Sequence, residues 1–494
     1  MEKVRMCGVT AILHSKTSSN ESLNADATYD VYRSLLKLQH RGQDAAGIVA
    51  YNSSEKRFHS HRSIGLVNDI FNESNIALMK GDMAIGHTRY ATTGSDSLND
   101  IQPLLTGYPL GLALAHNGNI VNYHDLAREI NSKSSAQLLT NNDIELFQNI
   151  WCQSFSVCKD NSLAALIDGS RRIFNDLKGA YALVGILGER GIFGLRDPYG
   201  IRPLCLGMRE SDGRKSWILC SETSSLIQLG FDYIRDISPG ELIFIDRDGE
   251  IFSRVLVDQK RPSTCMFEWV YFSAAESSIE NRDVYSVRLA LGTLLANQIK
   301  SKYGNILNHF DIVCPVPDTS RTAAIALAET LNLPYREGLI KNRYSQRSFI
   351  LSSDQQRQRA IENKLTPIIS EIKDKNILLV DDSIVRGTTS RRIISLLKMY
   401  GAKSVTMAIT CPPIKYGCFY GVDFPDTSSL IASNKIISEI ELEVGAKAIE
   451  YLTIDNLEES ISHKGICDAC LSGQYPTDIS ASEEFSKRRS ELRI

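Results

Sequence analysis

Val380-Asp381-Asp382-Ser383-Ile384-Val385-Arg386-Gly387-Thr388-Thr389-Ser390 follows directly on the apolar run Asn376-Ile377-Leu378-Leu379. A strand runs into two acids, then a short Gly/Thr/Ser loop, then a helical stretch over residues 391–399. Main-chain N–H groups at such a helix start form a concave anion site, and Gly387 lets the backbone come close. The hydroxyls of Thr388, Thr389 and Ser390 add donors for phosphate oxygens. Two carboxylates at a strand end suit sugar hydroxyls and a hydrated Mg2+. An ordinary strand–turn–helix with Asp caps accounts for the D-D-S alone but not for the whole run. The segment is not a Walker loop, because G-x-x-x-x-G-K-[ST] is absent.

Around this stretch, strands and helices alternate from about residue 285. Leu289, Leu294, Leu295 and Ile299 fall at helical spacing; Asp311-Ile312-Val313-Cys314-Pro315 is a short strand, and an Ala-rich helix follows over 323–331. Val405-Thr406-Met407-Ala408-Ile409 is a further strand. This order predicts a parallel sheet with ligands at the strand C-terminal ends. The first half differs. Leu112-Ala113-Leu114-Ala115, Tyr181-Ala182-Leu183-Val184-Gly185-Ile186-Leu187 and Glu241-Leu242-Ile243-Phe244-Ile245 read as strands buried on both faces. Helices are expected over 30–38 and 142–147, and the composition changes between about 258 and 285.

The chain has 494 residues, which at about 150 per domain suggests two to three domains. Hydrophobic residues make up 43% and charged residues 23%, so the chain is neither disordered nor fibrous. Lys plus Arg number 55 against 58 Asp plus Glu, a net charge of −3 that argues against a whole-chain nucleic-acid-binding footprint but leaves room for a local basic patch; no nucleic-acid partner is expected. No apolar run approaches the roughly 20 residues of a membrane span, and the start has no signal-peptide core. Eleven scattered cysteines suggest reduced thiols and a cytoplasmic location. No internal repeat or low-complexity block occurs, and a polar tail closes the chain over 482–494.

The Val380 to Ser390 run resembles the phosphoribosyl pyrophosphate (PRPP) signature of phosphoribosyltransferases. That resemblance implies that the acids hold the ribose hydroxyls and the loop holds the 5′-phosphate. PRPP-binding residues are then Asp381, Asp382, Ser383, Arg386, Gly387, Thr388 and Thr389. Val316-Pro317-Asp318-Thr319-Ser320-Arg321 matches the family's pyrophosphate-side loop, with Thr319 beside Asp381 and Asp382 as ligands for one Mg2+. Lys341-Asn342-Arg343-Tyr344-Ser345-Gln346-Arg347-Ser348-Phe349-Ile350 is by composition a solvated basic loop. It resembles, however, the K-N-R-Y-V-G-R-T-F-I flexible loop of amidophosphoribosyltransferases, which closes over PRPP and completes an ammonia channel. Lys341, Tyr344 and Arg347 join the PRPP set on that ground. Ser345-Gln346 replaces the family's Val-Gly, while the charges are kept.

Cys7-Gly8-Val9 near the start would by itself be a buried small hydrophobe. Its companions are Leu38-Gln39-His40-Arg41-Gly42-Gln43-Asp44-Ala45-Ala46-Gly47-Ile48, Gly86-His87-Thr88-Arg89-Tyr90-Ala91-Thr92-Thr93-Gly94, Ala115-His116-Asn117-Gly118-Asn119 and Asn142-Asp143-Ile144-Glu145. In order and spacing they resemble the landmarks of type II glutamine amidotransferases over about residues 7–245. Amide hydrolysis needs a nucleophile, a base, an oxyanion hole and a clamp for the amino-acid end. A free terminal amine, with a pKa of ~7.7–8.0 against ~8.5 for a thiol, can be the base of its own cysteine. The resemblance makes Cys7 the nucleophile, Asn117 and Gly118 the oxyanion donors, and Arg89, Tyr90 and Asp143 the glutamine-binding residues. His87 and His116 are expected to be structural. Asn142 and Ile144 stand where the family pattern S-D-S-E has serines. A free Cys7 amine requires loss of residues 1–6, either as a short propeptide or through a start at Met6.

Cys467-Asp468-Ala469-Cys470-Leu471-Ser472-Gly473-Gln474-Tyr475-Pro476 holds a C-x-x-C. Alone it could be redox-active, half a zinc site or chance. It resembles the C-terminal cysteine pair of iron–sulfur members of the amidophosphoribosyltransferase family. Their other two cysteines correspond to Cys265, before Glu268-Trp269-Val270-Tyr271-Phe272, and Cys418, in Pro412-Pro413-Ile414-Lys415-Tyr416-Gly417-Cys418-Phe419. That resemblance implies a structural [4Fe–4S] cluster on Cys265, Cys418, Cys467 and Cys470 in preference to zinc.

Together the resemblances run from Cys7 to Tyr475. They imply an α/β and α+β two-domain chain: an N-terminal-nucleophile αββα sandwich followed by a type I phosphoribosyltransferase parallel-sheet domain. The expected divisions are 1–6 leader, 7–257 amidotransferase, 258–284 connector, 285–475 phosphoribosyltransferase with cluster-binding segment, and 476–494 tail. The implied reaction converts glutamine, PRPP and water to 5-phosphoribosylamine, glutamate and pyrophosphate. Feedback inhibition by purine nucleotides of the AMP and GMP class, and assembly into homo-oligomers, often tetramers, come with the family. Two alternatives carry different chemistry. A sugar-phosphate aminating amidotransferase would lack the Val380 to Ser390 run. A catalytically silent PRPP-sensing regulator would not need the set around Cys7.

Overall fold

The computed structural model describes residues 6–15, 26–90, 98–133, 137–158, 162–211, 213–258, 260–342, 365–422, 424, 426–463 and 465–481. Tyr344, Arg347, residues 1–5, the 91–94 part of the third glutaminase landmark and the tail over 482–494 lie outside them.

In the strand Gly8–His14, Val9, Ala11 and Leu13 alternate with Thr10 and Ile12, and all are buried. The odd-numbered set enters a core shared by two sheets, while Ile12 turns to a helix. The same period of two governs Leu112–Ile120: Ala113 and Ala115 face the first sheet, Leu112 and Leu114 the helices behind. The first sheet runs Asp232–Asp236, Cys205–Ser211, Arg214–Cys220, Gly8–His14, Met83–Arg89, Ala45–Asn52, Arg57–Ile64. The second runs Ile251–Val255, Glu241–Asp246, Gly191–Arg196, Gly179–Leu187, Leu112–Ile120, Leu104–Thr106. Helix Ala27–Leu38, capped by Asp26 Oδ1 accepting from Thr28 N at 3.0 Å, covers the outer face of the first sheet. Helices Ile144–Val157 and Ser162–Asp176 cover that of the second. The layers are thus α, β, β, α, as expected.

The second half is a parallel sheet in the order Ile312–Pro315, Asn376–Asp381, Ser404–Ile409, Ala448–Tyr451. Ile377 and Leu379 face helix Thr388–Met399, whereas Leu378 and Val380 face helices Val284–Tyr303 and Arg321–Leu331. Burial on both faces explains the unbroken apolar run in the sequence. Met6, Val121, Ala180 and Ile201 of the first half lie in the same core as Trp269, Leu291, Val380 and Phe424, so the two halves pack as one body. No described helix is long and apolar enough to cross a membrane.

Candidate active sites

Cys7 sits just before the strand Gly8–His14, half-buried, with its Sγ 3.8 Å from the Tyr90 carbonyl. Burial pushes the thiol up from its usual range, which the Arg89 charge only partly offsets. A carbonyl accepts a hydrogen bond but cannot take the proton away, so this thiol needs a base. Arg89 ends Met83–Arg89, the strand paired with that of Cys7 (Gly8 opposite Thr88). The charges of both Arg89 and Asp143 act on the Cys7 thiol, one of each sign.

Asn117 and Gly118 lie in Leu112–Ile120, across the inter-sheet core. The Asn117 Nδ2 is buried without a hydrogen-bond partner. An amide donor left unmatched inside a protein costs free energy, and a developing oxyanion would satisfy it. Asp143 Oδ2 accepts from Ile120 N at 3.1 Å, and His116 Nε2 lies 3.2 Å from Oδ1, off hydrogen-bond geometry. His87 is fully buried, and burial, then the neighbouring His116 and Arg89, lower its pKa well below the usual imidazole range. Both His87 ring nitrogens are buried without a hydrogen-bond partner. Asn142, at a position where the family pattern has serine, is held by its amide: Nδ2 donates to Asp100 O at 2.8 Å, and Oδ1 accepts from Gln102 Nε2 and Ile144 N, each at 3.3 Å. Glu145 accepts from Leu139 N and Thr140 N.

One part of this site joins a landmark residue to partners that the sequence does not signal. Arg41 Nε donates to the Cys7 carbonyl at 3.1 Å. Its other nitrogens bind Glu222 and, at 2.7 Å, Glu268, partners 181 and 227 residues away. All three side chains are fully buried. Burial works against each charge; His40 and Arg41 outweigh it at Glu222 and hold that carboxyl well below its usual range. Arg41 stays charged in turn through Glu268 and Glu222. Breaking a buried pair strands a charge, so Glu268→Ala is expected to cost about 3–5 kcal/mol. Urea unfolding reads this as a lower midpoint at unchanged slope.

In the second half, Val316 N donates to Val380 O at 2.8 Å, so the two loops leave the sheet side by side at its C-terminal edge. Asp381 ends its strand and is buried; burial, and then the neighbouring Asp382, raise its carboxyl well above the usual range. Asp382 accepts from Ser383 Oγ at 2.9 Å. Gly387 has φ +79°, a conformation that favours glycine before helix Thr388–Met399, and a Cβ there would also push on the tip of Ile431, 2.4 Å away. The Arg386 Nε is buried without a partner. Thr319 lies, half-buried, on the loop before helix Arg321–Leu331. Lys341 Nζ reaches across to Asp318 Oδ2 on that loop at 2.6 Å. Two carboxylates and a hydroxyl are hard oxygen donors, which suits Mg2+ completing its shell with water and substrate oxygens.

Cys265 and Cys467 are paired partners in the short parallel bridge of Thr264–Cys265 with Ile466–Cys467. The Cys470 carbonyl accepts from Lys415 N and Tyr416 N, and Tyr475 Oη donates to Gly417 O at 2.6 Å, drawing the Cys418 segment in. All four thiols are buried and free of disulfides, and the Cys470 thiol feels Cys418, Cys411, Cys265 and Cys467. Among the described residues, no three His, Cys, Asp or Glu side chains group closely enough for one metal ion.

A cysteine-centred amide site and a phosphoribosyl-type loop on one core define a class, the glutamine amidotransferases fused to a phosphoribosyltransferase. Residues 87–228 match the glutamine amidotransferase domain family and residues 288–419 the phosphoribosyl transferase domain family. Amidophosphoribosyltransferase of Haemophilus influenzae is 37% identical over 483 residues, covering 96% of this chain and 94% of that protein. The one of Methanocaldococcus jannaschii is 38% identical over 490 residues, covering 96% and 98%. The solved glutamine PRPP amidotransferase from B. subtilis, complexed with ADP and GMP, matches with a TM-score of 0.83 at 36% identity, covering 96% of this chain and 98% of that one. This chain belongs to the amidophosphoribosyltransferases.

Proposed function

We propose that the enzyme converts glutamine, PRPP and water to 5-phosphoribosylamine, glutamate and pyrophosphate, the first step of purine biosynthesis. The observation that carries this reading is the coexistence, on one continuous core, of Cys7 beside the Arg89 and Asp143 charges and of the Asp381 to Thr389 loop. Cys7 attacks the glutamine side-chain amide after passing its proton to its own amine, freed by removal of residues 1–6. Asn117 Nδ2 and the Gly118 N–H hold the oxyanion. The C–N bond breaks with a proton delivered to nitrogen, leaving a thioester and ammonia; water then releases glutamate. Arg89 binds the glutamine carboxylate and Asp143 its ammonium, with Tyr90 beside them.

Ammonia passes inside the protein, since bulk water would protonate it. It attacks C1 of PRPP, the C1–O bond breaks, and pyrophosphate leaves. Asp381 and Asp382 bind the ribose hydroxyls; Ser383, Arg386, Gly387, Thr388 and Thr389 bind the 5′-phosphate; Lys341, Tyr344 and Arg347 join the PRPP-binding set, the two cations offsetting charge on the departing pyrophosphate. One Mg2+ held through Thr319, Asp381 and Asp382 would neutralise charge on that leaving group. Cys265, Cys418, Cys467 and Cys470 would hold a structural [4Fe–4S] cluster tying the C-terminal segment to both domains. Inhibition by AMP- and GMP-class nucleotides, a homotetramer and a cytoplasmic location complete the proposal.

Glutamate and pyrophosphate should form in a ratio of one to one with both substrates present; pyrophosphate without glutamate would refute the coupling. Anaerobically purified protein should contain iron and acid-labile sulfide in equal amounts, about four of each per chain. Zinc alone would refute the cluster.

A further inference from the structure

We propose that Phe419-Tyr420-Gly421 of the transferase half is a positioning element for the oxyanion donors of the glutaminase half. Three contacts carry it. Asn119 Nδ2 donates to Phe419 O at 2.9 Å, one residue beyond Gly118 and in the same strand. Arg202, which lies 3.7 Å from Glu268 of the Cys7-anchoring network, donates to Tyr420 O through Nε at 2.8 Å and also through Nη2. Gly421 has φ +99°, and a Cβ there would stand 3.1 Å from both the carbonyl carbon and oxygen of Gly118, and 3.3 Å from its Cα. The absent side chain is therefore what lets this segment rest on the backbone of the donor strand.

The segment is buried and fixed at both sides: Tyr420 N points to Cys418 Sγ at 3.5 Å, and Cys418 N bonds Phe424 O at 3.0 Å. An oxyanion hole works only if its donors are fixed before reaction, and a misplacement of about 1 Å can cost 100-fold. A clamp from the other half on Gly118 and Asn119 thus sets the amide-cleaving rate without touching glutamine. This inference rests on Asn117 and Gly118 being the oxyanion donors.

The test is steady-state kinetics of the full chain with glutamine and, separately, with ammonium. Gly421→Ala pushes on Gly118 and adds backbone strain. It should lower kcat with glutamine by about tenfold or more, keep the glutamine KM within about twofold, and leave ammonium-dependent turnover intact. Asn119→Ala, which adds no bulk, should shift kcat in the same direction. Equal losses with both nitrogen sources, or a raised KM at unchanged kcat, would overturn the inference. If Gly421→Ala fails to fold, an unchanged kcat in Asn119→Ala overturns it. Asn117→Ala separates the two readings. A loss of about 100-fold beside a normal Gly421→Ala sinks the clamp alone; full activity in Asn117→Ala sinks the oxyanion assignment and the clamp with it.

Discussion

Cys7→Ala is expected to abolish glutamine-dependent turnover, by about 10⁴-fold or more, while ammonium-dependent formation of phosphoribosylamine continues. The side chain removed is the only atom set that forms the thioester. Its loss should disturb little else: Sγ bonds only weakly to a carbonyl 3.8 Å away, and the Cys7 backbone is held independently by Arg41. The loop from Asp381 to Thr389 lies at the C-terminal edge of a separate sheet, where Ile384 packs with Ile312, Leu379, Ile393 and Met407. Parallel assays with glutamine and with ammonium check this. Loss of both activities in folded protein would mean that the two reactions do not occupy separate sites.

Asp382→Asn is expected to fail with either nitrogen source. The change keeps size and shape and removes a charged acceptor at the end of the strand Asn376–Asp381. Hydrogen bonds to charged groups are worth about 1.5–3 kcal/mol, which is about 10- to 150-fold in rate. The effect should appear on the PRPP side, with glutamine binding unchanged. Pyrophosphate release at saturating glutamine and at saturating ammonium should fall by the same factor. A loss confined to glutamine would contradict the assignment of Asp382 to PRPP.

Much of the arrangement was legible because it is local. The run from Asn376 to Ser390 carries strand, acids, turn glycine and helix start within one loop, and φ +79° at Gly387 is the conformation such a turn needs. Strands buried on both faces were legible as unbroken apolar runs. Their order was not, because neighbours such as Gly8–His14 and Arg214–Cys220 lie some 200 residues apart, and hydropathy does not encode a partner. Long-range contacts stayed hidden for the same reason. Arg41 lies inside a quoted landmark, yet nothing near Glu222 or Glu268 announces that they hold it. At Asn142 the sequence signalled a departure, but only the geometry showed that its amide bonds Asp100, Gln102 and Ile144.

The central claim is a glutaminase whose catalytic base is the amine of Cys7, coupled to a PRPP transferase. Mass determination of the N-terminus, on the same preparation assayed for pyrophosphate release with glutamine and with ammonium, tests it most directly. The account predicts Cys7 as the first residue and activity with both nitrogen sources. Glutamine-dependent activity in protein that retains residues 1–6 would contradict the terminal-amine mechanism. Activity with neither source, in folded protein, would contradict the enzyme itself and leave a PRPP-binding regulator.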